Sequence, residues 1–321
     1  MAQESGRSVQ QEQAQRLNEK LRRELGTAIC GYLAEPHVIE VMLNPDGNVW
    51  VERLGHPMQQ VGTMPAYQAE ALIGTVAASL RTTVTRENPI LECELPLDGS
   101  RFEAILPPNV AGPCFTIRRK AAKIFTLADY VADGIMSPRQ ADVIRQAVAE
   151  KANVLVVGGT GTGKTTLTNA IIDHMAETVG DERLVIIEDT AEIQCRSPNA
   201  VILRATEYAD MLRLLKATMR LRPDRIVVGE VRGAEALSLL KAWNTGHPGG
   251  VATVHANNAE AGLTRLESLV AEATAAPQRA IIAAAVNVIV SIAKTGEGRR
   301  VREVLRVNGL RGGEYDLEPI N

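Results

Sequence analysis

The segment Gly158-Gly159-Thr160-Gly161-Thr162-Gly163-Lys164-Thr165 constrains this chain more than any other stretch. It satisfies G-x-x-x-x-G-K-[ST], follows an apolar run from Asn153 to Val157, and opens a helical pattern from Lys164 to Ala176. Glycines at these places let the backbone curl around a phosphate with its N–H groups turned inward. The helix N-terminus adds the positive end of a dipole. Lys164 is suited to bridge the β- and γ-phosphates of ATP, and the Thr165 hydroxyl to ligate Mg2+. With Thr166, residues Gly158 through Thr165 form the expected nucleotide-binding set.

The rhythm around this segment predicts an α/β domain. Strand patterns at Arg183–Ile187, Ala200–Leu203, Arg225–Val228 and Val251–Val254 alternate with helical ones at Tyr208–Arg220 and Ala234–Asn244. Near-continuous Val/Ile runs mean strands buried on both faces, which is the mark of a parallel sheet. Residues 30–119 read differently, as a smaller α+β domain. Val38–Leu43 and Val49–Arg53 flank the turn Pro45-Asp46-Gly47-Asn48 as a hairpin. Tyr67–Leu80 is helical, and Ile90–Pro96, Arg101–Leu106 and Cys114–Arg118 are strands. Ahead of it, Glu12–Ile29 is a helix with an apolar stripe at Leu17, Leu21, Leu25 and Ile29, expected to dock on its own domain. Residues 1–11 read as disordered. The organisation expected is a tail and helix over 1–29, the α+β domain over 30–119, a linker over 120–137, and the P-loop domain over 138–321.

Composition narrows the function. A net charge of −3 argues against a broadly basic nucleic-acid coat protein, so direct nucleic-acid binding is not expected. Cys30, Cys93, Cys114 and Cys195 form no C-x-x-C pair, which argues against a zinc ribbon or knuckle and fits free thiols. Residues 1–25 are polar and charged, and no run approaches the ~18 apolar residues of a membrane span. A cytoplasmic protein is expected, meeting a membrane only through a partner or a surface.

Three later segments carry candidate chemistry. Ile226-Val227-Val228-Gly229-Glu230 is an apolar strand ending in a carboxylate, placed to act as general base for water beside the P-loop. Ile186-Ile187-Glu188-Asp189-Thr190-Ala191-Glu192 ends another strand in acids that could orient a nucleophile or hold Mg2+ through water, or cap a helix. Glu188 is the first choice, ahead of Asp189 and Glu192. His247 and His255 bracket a glycine-rich turn and a strand, and fit hydrogen-bonding sensors better than metal ligands.

The order of P-loop, Glu188-Asp189, Gly229-Glu230, then Gly246-His247-Pro248-Gly249 and Thr253-Val254-His255 resembles the type II/type IV secretion ATPase family. Gly99-Ser100-Arg101-Phe102, Pro107-Pro108 and Ile117-Arg118-Arg119 are similar to that family's N-terminal domain. The resemblance spans roughly residues 30–300. It implies a RecA-like C-terminal domain and a homo-oligomer, a hexameric ring, at the cytoplasmic side of the inner membrane. Partners would be inner-membrane components of a secretion or conjugation channel. It also implies catalysis by Glu230, arginine fingers at Arg101 and Arg118 with Arg119 a weaker candidate, and nucleotide sensing by His247 and His255. Gly229 stands where ordinary P-loop enzymes place an Asp, and Glu188 is expected to compensate. The absence of a four-cysteine module points to the conjugation branch. A DNA-translocating motor and a small-molecule kinase are the competing readings. The basic residues Lys294, Arg299, Arg300, Arg302, Arg306 and Arg311 lie among turn glycines and read as a hairpin, a charge-protected β-edge before a lipid or DNA surface.

Overall fold

Strand patterns of two kinds, alternating before residue 120 and continuously apolar after 150, build two separate sheets. The computed structural model describes residues 2–53, 56–120, 124–206, 208–296 and 298–320, with side chains from residue 11 onward. The disorder expected over 1–11 is not what the structure shows: a helix runs from Ala2, and only Met1 of that stretch lies outside the described residues. The chain divides into two units, one running to Ala122 and one from Lys123.

The first unit contains helix α1 (Ala2–Ala34), strands β1 (Val38–Leu43), β2 (Asn48–Arg53) and β3 (Gln59–Thr63), helix α2 (Ala66–Ser79), and strands β4 (Ile90–Glu94), β5 (Arg101–Ile105) and β6 (Cys114–Arg118). The strands form an antiparallel sheet in the order β3-β2-β1-β6-β5-β4. Its inward residues, among them Val41, Val51, Phe102 and Ile117, pack with Leu21, Leu25, Ile29 and Leu33 of α1 and Leu72 and Val76 of α2. The leucine stripe of α1 is thus buried in its own unit. The helix breaks at Gly26, whose φ of 80° is outside the helical region. Gln68 Nε2 donates to the Glu24 carbonyl at 2.6 Å beside that break.

The second unit contains α3 (Leu127–Ala132), α4 (Pro138–Ala149), β7 (Val154–Gly158), α5 (Lys164–Thr178), β8 (Leu184–Glu188), β9 (Ala200–Arg204), α6 (Met211–Thr218), β10 (Arg225–Val228), α7 (Glu235–Asn244), β11 (Val251–His255), α8 (Ala259–Ala271), α9 (Arg279–Ala285), β12 (Val288–Thr295), β13 (Gly298–Arg311) and β14 (Glu314–Pro319). The sheet order is β14-β13-β12-β7-β11-β10-β8-β9. From β12 to β9 every pairing is parallel, as the apolar runs require. Val154 and Val156 face one core with α3 to α5, while Leu155 and Val157 face the other with α7 to α9.

Three further expectations need correction. Within 120–137, residues 121–123 lie outside the described residues, but the rest is not plain linker. Thr126 caps α3 in a reciprocal capping box with Asp129, and Leu127 and Tyr130 are buried in the second unit's core. The helix read from Tyr208 starts at Met211, because the Asp210 side chain accepts the Arg213 N–H at 2.7 Å and fixes the N-cap there. The C-terminal basic hairpin is no sheet edge: β13 is flanked by β12 and β14. Two of its arginines are committed, Arg300 to the Gly134 carbonyl and Arg311 to Asp316.

Candidate nucleotide-binding site

The parallel strands end together, and the sequence places a polar group at each end. β7 runs into the P-loop. His255 closes β11 and pairs in register with Gly158. Gly229 and Glu230 follow β10, and Glu188 closes β8, whose Ile187 pairs with Val228. This edge beyond the carboxyl ends of the strands is where open α/β sheets bind ligands.

Sterics dictate the P-loop glycines. A Cβ on Gly158 would lie 2.5 Å from the Ile292 carbonyl oxygen and from Thr162 Oγ1. Gly163 has a φ of +99° and caps α5 in the left-handed region. Lys164 Nζ donates to the carbonyls of Gly158 and Gly159, each at 2.9 Å, and stands 3.2 Å from His255 Nε2. Burial lowers the Lys164 pKa, with Glu230 and Glu192 opposing that shift. Burial and the Lys164 charge push the His255 pKa down, so its imidazole is neutral at pH 7.

Glu230 Oε1 lies 3.6 Å from His255 Nε2, and its Oε2 accepts from Arg232 at 2.7 Å. Arg232 also pairs with Asp189. Burial opposes the charge of Arg232, but the hydrogen bond to Glu230 and the field of Asp189 hold its pKa above the ordinary value. Thr253 Oγ1 donates to the Gly229 carbonyl at 2.7 Å and ties β11 to the start of this segment. Gly229 is glycine for a reason of space, since a Cβ there would lie 3.2 Å from Glu188 Cβ.

Glu188 is buried and its pKa is raised by desolvation, against two N–H donors that favour the charge. Its Oε2 accepts from the N–H groups of Glu192 and Ile193, both at 2.9 Å, and its Oε1 faces Arg204 Nε at 3.7 Å. Glu188 therefore shapes the turn that follows. That turn carries Glu192 to Thr165, whose hydroxyl donates to Glu192 Oε2 at 3.0 Å. Asn169 on α5 donates to the Glu192 carbonyl at 3.1 Å and holds the turn from below.

The sequence-predicted residues separate into groups. Lys164, Thr165, Glu188, Glu192, Glu230 and His255 surround one P-loop. His247 does not join them: it precedes β11, and its Nδ1 is 3.0 Å from the Pro223 carbonyl. That is the other end of a five-residue strand, on the order of 15 Å away. Arg101 and Arg118 lie in the first unit as direct cross-strand partners on β5 and β6. Arg118 pairs with the buried Glu40. Arg119 is bound to the backbone carbonyls of Glu35 and Val38, a structural lock on the approach to β1.

Two contacts escape a reading of the sequence alone. Arg232 follows Glu230 by two residues, so an extended backbone puts both on one side; that spacing was its only signal. Arg299 comes from β13 and reaches the P-loop, with Nη2 3.4 Å from the Gly161 carbonyl oxygen. Nothing local announces that contact across 138 residues of sequence separation.

The chain is 53% identical over 303 residues to the probable conjugal transfer protein TrbB of Sinorhizobium fredii, covering 94% of this chain and 93% of that protein. It is 30% identical to the type IV secretion system protein PtlH of Bordetella pertussis, covering 86% and 92%. In fold it is similar to the Legionella pneumophila ATPase DotB, with a TM-score of 0.59 at 19% identity over 84% of this chain and 76% of that one. It is also similar in fold to the pilus retraction motor PilT with bound ADP, with a TM-score of 0.63 at 20% identity over 91% and 82%. The family model described as "Type II/IV secretion system protein" matches residues 25–295, and the chain belongs to that family.

Proposed function

We propose that this chain hydrolyses ATP at the P-loop, and that six copies form a ring energising a conjugative-transfer or type IV secretion apparatus. The observation that carries the reading is the convergence of Lys164, Glu230 and His255 on Gly158 and Gly159 at the carboxyl ends of β7, β10 and β11. Family membership and the conjugal transfer relatives support the process it serves.

Each group has a role in that reaction. Lys164 now rests on two neutral carbonyls. Phosphate oxygens are stronger, charged acceptors, and would draw its ammonium onto the β- and γ-phosphates. Glu230 takes the proton from the attacking water. Neutral His255, between Lys164 and Glu230, hydrogen-bonds the γ-phosphate end and reports its presence. Arg232 holds the Glu230 carboxylate in place. The oxygen donors at Thr165 and Glu192 suit a hard cation, and Mg2+ held there with ATP would supply charge neutralisation to the phosphates. No group of three or more His, Cys, Asp or Glu forms a metal cage among the described residues, which suits an ion held mainly by phosphates and water.

Arg101 and Arg118 are the arginine fingers in this reading. They sit side by side on β5 and β6, and their charge would offset the charge that develops on the transferred phosphate. The ring docks on inner-membrane components from the cytoplasm. No helix among the described residues is long and apolar enough to cross a membrane, so attachment would be peripheral.

The test is phosphate release and light scattering on the same purified sample, with and without Mg2+-ATP and duplex DNA. The expected result is a DNA-insensitive ATPase that assembles to about six subunits in nucleotide, in line with its closed ring symmetry. A monomer whose turnover rises steeply with DNA would replace the secretion motor by a DNA translocase.

A further inference from the structure

The sheet order gives the P-loop two sides. Towards β11 and β10 stand His255 and Glu230, the groups that suit activation of water, with Glu188 bracing the turn beyond them at the end of β8. A nucleotide on this loop would therefore point its γ-phosphate that way. Its α-phosphate and nucleoside would extend to the opposite side, towards β12 and the β12–β13 hairpin.

Arg299 is the charged side chain that this hairpin lays on the loop. Its Nη2 makes one long contact, 3.4 Å, to the Gly161 carbonyl oxygen. Its Cδ lies 3.1 Å from where a Cβ on Gly163 would stand, so the side chain lies close over the loop backbone. Its Nε is buried and has no hydrogen-bond partner among the described residues. No carboxylate pairs with it among those residues. A buried guanidinium N–H without an acceptor is costly, and an arriving anion removes that cost. Tyr130 of α3 is buried close enough to feel the Arg299 charge, and Phe125 packs edge-on against Tyr130 at 6.3 Å between ring centroids. This aromatic pair backs the hairpin.

We propose that Arg299 is a nucleotide-binding residue that donates to the α-phosphate of the bound nucleotide. The inference rests on the P-loop being an ATP site, and it adds a contact from the C-terminal hairpin. It accounts for the unpaired Nε and for one arginine of the basic cluster turning inward while Arg300 and Arg311 find other partners.

The test uses the full chain and its variants Arg299→Ala, Arg299→Lys and Lys164→Ala. Affinities for ADP and for both diastereomers of ADPαS are measured by titration calorimetry in EDTA, so that no metal touches the α-phosphate. In the wild type, one diastereomer should bind about fivefold more weakly than ADP, and Arg299→Ala should weaken ADP about tenfold, as befits a charged hydrogen bond. The sulfur penalty should shrink to less than about twofold in Arg299→Ala, since the contact it disturbs is already gone. Arg299→Lys, which keeps the charge, should fall between and guards against a folding defect in the alanine variant. For ATP hydrolysis, KM should rise with kcat nearly unchanged. A full sulfur penalty in Arg299→Ala, or none in the wild type, overturns the α-phosphate contact and leaves Arg299 a brace of the loop. Nucleotide binding that is absent in the wild type, or intact in Lys164→Ala, overturns the ATP site itself.

Discussion

Arg225 shows how a single residue can hold the frame without touching the chemistry. It opens β10, is fully buried, and donates to the carbonyls of Gly249 at 3.1 Å and Val148 at 3.0 Å. Its charge is met by Glu182, which also pairs with Lys151 at 2.7 Å. Burial works against the Glu182 charge, but these two cations win and hold its pKa below the ordinary carboxylate value. A depressed carboxylate contributes stability that is present above its unfolded pKa and lost as pH falls through the folded one. Glu182→Gln should therefore destabilise the second unit by about 3 kcal/mol at pH 7, because it strands a buried guanidinium. The deficit should shrink at acid pH, as the native carboxylate is protonated at a pH below the ordinary glutamate value of about 4.3. Urea melts at both pH values check it. Nothing in the sequence marked Arg225 as buried, since an arginine at a strand start ordinarily faces water. Glu230 and Lys164 were legible because a P-loop fixes its own geometry and gives meaning to an acid at the end of a buried strand that would otherwise read as a surface residue. Arg232 and Arg299 were not, because their contacts depend on how distant strands are ordered.

At the scale of elements, the parallel strands were legible and the last third of the sheet was only partly so. β7, β8, β10 and β11 are buried on both faces, and burial leaves a continuous Val/Ile signature. β13 and β14 are half-exposed, and their pairing shifts register between Val307 and Leu310, which blurs the alternation that would betray them. Helix α8 hid a close approach. Gly262 faces β7, and a Cβ there would lie 2.6 Å from Val157 Cγ1. Gly262→Ala should cost about 1–3 kcal/mol by overpacking, despite its better helix propensity. Because α8 also lines a cleft of about 460 Å3 with Gly159, His255 and Arg265, the shift should weaken ATP binding as well. Thermal unfolding and nucleotide titration of this variant measure the two effects together; higher stability would show that α8 adjusts freely.

For the whole molecule, the division into two units has a chemical consequence. The P-loop, Glu230 and His255 all belong to the unit from Lys123, while Arg101 and Arg118 belong to the unit ending at Ala122. In the proposed motor, the second unit binds ATP and prepares the water, and the first supplies arginine charge to the transition state. ATP binding and hydrolysis would then alter the relation between units and pass motion around the ring.

The most direct measurement of this account is single-turnover hydrolysis of γ-labelled ATP by the wild type and by Glu230→Gln. The account predicts that the variant retains ATP through gel filtration while phosphate release falls about a hundredfold or more, as expected on removing a general base. Phosphate release at the wild-type rate from Glu230→Gln would contradict it and move the catalytic carboxylate elsewhere.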